Sequence, residues 1–78
     1  MDDKLKRDTE ALLFASGRAM SEEALCNILN AFPKDIKRVL KELHDEYRER
    51  DAALMIFQEG EAWKMLVRDA HIPVVQRV

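Results

Sequence analysis

Residues 54–68, Leu-Met-Ile-Phe-Gln-Glu-Gly-Glu-Ala-Trp-Lys-Met-Leu-Val-Arg, constrain this chain most, because they read as a β-hairpin that is apolar on both faces. With Gly60-Glu61 as a two-residue turn, glycine supplies the positive φ that a type II′ turn needs at its first central position. The pairs then run Glu59 with Ala62, Gln58 with Trp63, Phe57 with Lys64 and Ile56 with Met65. Side chains alternate along a strand. One face therefore carries Leu54, Ile56, Trp63, Met65 and Val67, and the other carries Met55, Phe57 and Leu66 beside the aliphatic stem of Lys64. The first set reads as a core face. The second is either covered by the C-terminal segment or kept for another protein, since contiguous exposed apolar surface marks an interaction site.

A chain of 78 residues has room for one small core and no second layer around a deep substrate pocket, which argues against a complete enzyme. Cys26 is the single cysteine, so no disulfide framework or thiolate metal cluster is available, and a reducing, cytoplasmic compartment fits. Within its apolar helical pattern Cys26 reads as a core thiol. The charged start, Met-Asp-Asp-Lys-Leu-Lys-Arg, lacks the apolar stretch of a signal peptide, and no run approaches the roughly 20 residues that span a bilayer. A soluble, intracellular protein without a membrane partner is expected.

Leu5, Thr9, Leu12, Leu13 and Ser16 fall at the spacing of one helical stripe from Lys4 to Ser16, and Gly17 stands where a helix takes a left-handed cap. Phe14 lies on the far side of that wheel beside Arg7 and Glu10. It either points outward toward a partner or tucks under the following loop. Ser21 caps a second, short helix with Glu22 and Glu23 at its positive end, and Leu25, Ile28 and Leu29 are its expected buried stripe. Asn30 to Phe32 end it. Pro33 opens a third helix, whose Ile36, Val39, Leu40, Leu43 and Tyr47 continue at helical spacing to about Arg50. Asp69 is placed to cap a short turn, with Ile72, Val74, Val75 and Val78 left without obvious cover. Three helices followed by a two-stranded wing predict a winged helix-turn-helix, mainly α with a small β-hairpin.

Winged helices commonly place the third helix in the DNA major groove. Between Lys34 and Asp51, however, six positive residues stand against six negative ones, and no Asn or Gln is present to read adenine. The cluster Lys34, Lys37, Arg38 and Lys41 could touch a phosphate backbone, but Glu59 and Glu61 would put two carboxylates at the wing tip. With a net charge of −2, DNA contact is expected to be weak or indirect at most. Charges at helical spacing, such as Asp45 with Arg48 and Glu46 with Arg50, fit a solvated helix face. His44 and His71 have no ligand-spaced neighbours, Ser16 and Ser21 have no activating motif, and no phosphate loop exists. No catalytic residue, metal site, cofactor or small-molecule substrate is expected.

The string Glu10-Ala11-Leu12-Leu13-Phe14-Ala15-Ser16-Gly17, followed by Arg18-Ala19-Met20-Ser21 and Leu25, resembles the opening of the segregation and condensation protein B (ScpB) family, EALLFASG and then a Ser-led apolar helix. Leu43 to Asp51 is similar to the family's third-helix ending, and Trp63-Lys64-Met65 stands in the place of its second wing strand. Ala19 and Ala53 depart from the Pro and Gly that the family often has nearby. The resemblance implies a non-catalytic subunit of the prokaryotic SMC complex that binds the kleisin subunit ScpA, and SMC through it, and forms a homodimer through N-terminal domains. It also implies two winged-helix domains, so residues 1–69 are expected to be the first and 70–78 the start of a connection to the second. On this reading Phe14, Met55, Phe57 and Leu66 are the expected protein contacts, with Trp63 at their edge. The alternative is the DNA-binding winged helix of a transcription regulator.

Overall fold

The computed structural model describes residues 2–78. Helix α1 (Asp2–Ser16) leads through a short strand β1 (Met20–Ser21) into α2 (Glu22–Leu29) and α3 (Pro33–Glu49). Strands β2 (Leu54–Glu59) and β3 (Ala62–Val67) follow, then a 3-10 turn (Asp69–His71) and the short α4 (Ile72–Val75). The expected winged helix is present.

Local chemistry accounts for the element ends. The Ser21 hydroxyl accepts the Ala24 N–H at 3.0 Å and caps α2, while Glu22 and Glu23 lie in its first turn. Asn30 closes α2 in the left-handed region at φ 53°, a conformation that asparagine tolerates. Pro33 starts α3, where its missing N–H has no helical partner. Gly60 takes φ +64° at the hairpin turn, as its first central position requires. The hairpin register agrees with the expectation at every pair, from Leu54 opposite Val67 to Glu59 opposite Ala62.

The core lies between α1, α2, α3 and the inner sheet face. Leu13, Leu25, Ile36, Val39, Leu40, Leu43 and Ile56 are fully buried, with Met20, Tyr47 and Trp63 nearly so. Thr9 is buried too, and its hydroxyl is satisfied by donating to the Leu5 carbonyl at 2.7 Å. Cys26 packs partly buried against this cluster, as expected of a core thiol.

Three expectations need correction. Ile28 is 58% exposed rather than buried. On the helical wheel Cys26 and Leu29 lie to one side of Leu25 and Ile28 to the other, so a helix that packs Cys26 inward turns Ile28 out. Glu46 does not pair with Arg50. It reaches across to α1, bonding Lys6 Nζ at 2.5 Å and Arg7 Nη2 at 3.0 Å, while the Arg50 guanidinium lies 4.4 Å from the Tyr47 ring centroid. Finally, Met20 and Ser21 add a third strand, pairing antiparallel with Trp63 and Ala62 to give the order β1-β3-β2.

The link between α1 and α3 gives a pH prediction. Hydrogen bonding from Lys6 holds the Glu46 carboxyl below its ordinary value of 4.5. Hydrogen bonding from Lys37 and then from the Trp63 N–H does the same for Glu22. A carboxyl with a depressed folded pKa contributes stability that is complete above about pH 4.5 and is lost as pH falls through its lowered value. Urea midpoints taken at decreasing pH are therefore expected to fall in acid, and Glu46→Gln should lower stability at pH 7 while making the acid slope shallower. An unchanged slope would remove Glu46 from the acid response.

Candidate functional site

Alternation along the hairpin puts Met55, Phe57, Lys64 and Leu66 on the face turned away from the helices. Met55 stands directly opposite Leu66, and Phe57 opposite Lys64. Phe57 is 41% exposed, while Met55, Lys64 and Leu66 are half-buried. Residues 69–78 are themselves exposed, and the turn Asp69–His71 shares a hollow with Met55 at the start of the hairpin. Three of the five expected contacts are therefore neighbours on one surface.

Phe14 lies elsewhere. It is 71% exposed on α1 and borders a separate groove with Ala11, Tyr47, Leu54 and Met65, so the outward alternative for this side chain is the one realised. Trp63 is corrected from edge contact to core. It is 7% exposed on the inner face, and its Nε1–H donates to Glu22 Oε2 at 2.9 Å. A buried Trp whose N–H is bonded is anchored and is not free to dock.

Phe32, 70% exposed at the N-cap of α3, was not anticipated as a surface residue. Its signal is the Phe-Pro step: a residue before proline is held extended, outside the helix, and its side chain cannot follow the buried stripe.

A second surface runs along β2. Between this strand and α3 lies a groove of about 550 Å³, bordered by Lys37, Lys41 and His44 on the helix and by Met55 to Gln58 on the strand. It continues past His44 into a hollow bordered by Arg48, Leu54 and Arg68. Lys37, Lys41, His44 and Arg48 follow one another at spacings of three and four, the positions that share one side of a helix.

The basic cluster expected to meet nucleic acid is largely occupied. Lys37 Nζ bonds Glu22 Oε1 at 2.8 Å, Arg38 bonds Asp35 at 3.1 Å, and Lys41 lies 3.6 Å from Asp45. Lys34 is exposed at the start of α3. Glu59 and Glu61 are exposed at the wing tip, where they would repel phosphate. Among the described residues no group of three His, Cys, Asp or Glu side chains could hold a metal ion, and no helix is long and apolar enough to cross a membrane.

Comparison with known proteins gives a consistent family. The family model described as "Segregation and condensation complex subunit ScpB" matches residues 7–78. Segregation and condensation protein B of Desulforamulus reducens is 32% identical over 76 residues, covering 97% of this chain and 42% of that protein. The protein of the same name from Alkaliphilus metalliredigens is 28% identical over 74 residues, covering 95% and 39%. The chain thus spans about two-fifths of the length of these curated relatives. Among solved structures, ScpB from Mycobacterium tuberculosis superposes with a TM-score of 0.92 at 27% identity, covering 99% of this chain and 48% of that one. A dimer of the ScpB N-terminal domain complexed with ScpA peptide gives a TM-score of 0.87 at 24% identity, covering 96% and 94%, and shows a shared fold.

Proposed function

This chain belongs to the ScpB family, and from that premise we propose that it is a non-catalytic protein-interaction and dimerisation module of a prokaryotic SMC–kleisin complex. It acts in chromosome condensation and segregation by pairing with a second copy of itself and binding ScpA, and it works in the cytoplasm. The observation that carries this reading is the outer apolar hairpin face, where Phe57 is 41% exposed and Met55 and Leu66 are only half-buried. Phe14 adds a second outward aromatic on α1. The solved ScpB N-terminal domain that shares this fold is a dimer complexed with ScpA peptide, which supports assigning the same two partners here. Residues 70–78, with Val74 and Val75 exposed, fit the start of a connection to a further domain.

Sedimentation equilibrium at low and high salt tests the self-association. Apolar contact predicts a dimer nearly indifferent to salt, whereas a strict monomer at all concentrations would end the dimerisation reading. Phe57→Ala is expected to weaken the dimer about tenfold or more, the effect of removing about 1.4 kcal/mol or more at an aromatic contact, while the monomer stays folded. Unfolding of that variant would return Phe57 to the core. Calorimetric titration with ScpA tests the second partner.

A further inference from the structure

We propose that the open edge of β2, together with the α3 side facing it, takes an extended acidic segment of a partner protein as a fourth strand of the sheet. The proposal rests on the reading of this chain as a protein-binding module and adds the chemistry of what it binds.

Backbone geometry comes first. Strand order β1-β3-β2 leaves β2 at an edge with no strand beyond it. In a two-residue hairpin the residues flanking the turn exchange hydrogen bonds, and bonded pairs then alternate outward. Glu59, Phe57 and Met55 therefore face β3, which agrees with the next bond in the series, from Arg68 N–H to the Ala53 carbonyl at 2.9 Å. The N–H and C=O groups of Leu54, Ile56 and Gln58 face away from β3; Gln58 is exposed and Leu54 half-buried, while Ile56 is only 1% exposed and has to be uncovered by an added strand. Such a row is a template for strand addition. β2 also lacks the usual edge protections, having no proline, no bulge in its register and no Lys or Arg.

Charge then selects the occupant. Lys41 and Arg48 share the single carboxylate of Asp45, at 3.6 and 3.8 Å, and the His44 ring lies 3.2 Å from it. Among the described residues Glu22 is the only acidic side chain bordering the groove, and it is already bound by Lys37. Lys41 and Arg48, two cations for one carboxylate, thus give a chain of net charge −2 a locally positive helix side beside the unpaired strand. Residues of an added strand would alternate, one set beside the apolar Met55 and Phe57 and the other beside the α3 cations. The matching segment carries apolar and acidic residues in turn. Free backbone groups and apolar side chains favour a peptide over nucleic acid, which brings no strand to pair.

A synthetic peptide of alternating Glu and Val, titrated into the isotopically labelled chain and followed by amide NMR, tests this. The expected result is shifts at Leu54, Ile56 and Gln58 and slowed exchange at Leu54 and Gln58, with binding that weakens as salt rises. A peptide of alternating Lys and Val should bind at least tenfold more weakly. Gln58→Pro removes an edge N–H without removing a ladder bond, so it should abolish binding while the melting temperature is kept. Lys41→Glu should weaken binding about tenfold in an equally folded chain. The proposal is overturned by equal binding of the two peptides, by full binding to folded Gln58→Pro, or by a short DNA duplex shifting the same groove and displacing the peptide. Sedimentation reads the dimer separately, so a monomer that binds the peptide refutes only self-association, and a dimer that ignores it refutes only this inference.

Discussion

Leu40→Ala is expected to lower stability by about 2–5 kcal/mol, the cost of removing a buried isobutyl group and leaving a cavity behind. Leu40 is fully buried in the middle of α3, and it belongs to the cluster that joins all three main helices to Ile56 and Trp63 of the sheet. A domain of this size has roughly 4–12 kcal/mol of total stability, so the substitution removes a large share. Urea denaturation should show a strongly lowered midpoint with an unchanged slope. Ile28→Ala supplies the contrast, because a side chain 58% exposed leaves little cavity and should cost within about 0.5 kcal/mol. Equal losses for the two variants would contradict the packing described for α2 and α3.

Trp63→Ala is expected to cost about 3–5 kcal/mol, because this ring fills the junction of β1, β3 and the first turn of α2. Its N–H holds Glu22, which also receives Lys37, so one carboxylate ties strand, second helix and third helix together. Trp63→Phe keeps most of the apolar volume and leaves Glu22 bound by Lys37. Its cost should be about 1 kcal/mol, that of one hydrogen bond. Both losses are read by far-ultraviolet circular dichroism on heating, since removing the single tryptophan removes the fluorescence signal. Self-association of folded Trp63→Phe should stay within about twofold of the parent, which an interface role for Trp63 would not allow.

The hairpin was legible in the sequence to the level of register, because period-2 alternation and one glycine at the turn leave a single pairing that sorts its side chains. The third helix was legible for a similar reason: its apolar positions repeat over four turns. Strand β1 was not, since two residues carry no period and Ser21 already had a role as a cap. Ile28 failed because an eight-residue helix offers too few positions to fix which way it is rolled. Trp63 was ambiguous because its surroundings depend on Glu22, 41 residues away. The groove beside β2 was hidden for a different reason. His44 and Arg48 looked like ordinary surface charges, and only the crossing of α3 over β2 brings them along the unpaired edge.

The two-residue strand β1 has a consequence for how the chain assembles. Each helix, and the hairpin as well, closes through neighbours in the sequence, and such local structure forms within microseconds. Pairing Met20 with Trp63 instead joins the first third of the chain to its last quarter, and the entropy of closing that loop must be met before its contacts stabilise anything. The last step of folding is therefore expected to be the docking of a formed wing onto the loop that precedes α2. Core substitutions in α3 should slow folding, whereas substitutions at Met20 should chiefly speed unfolding.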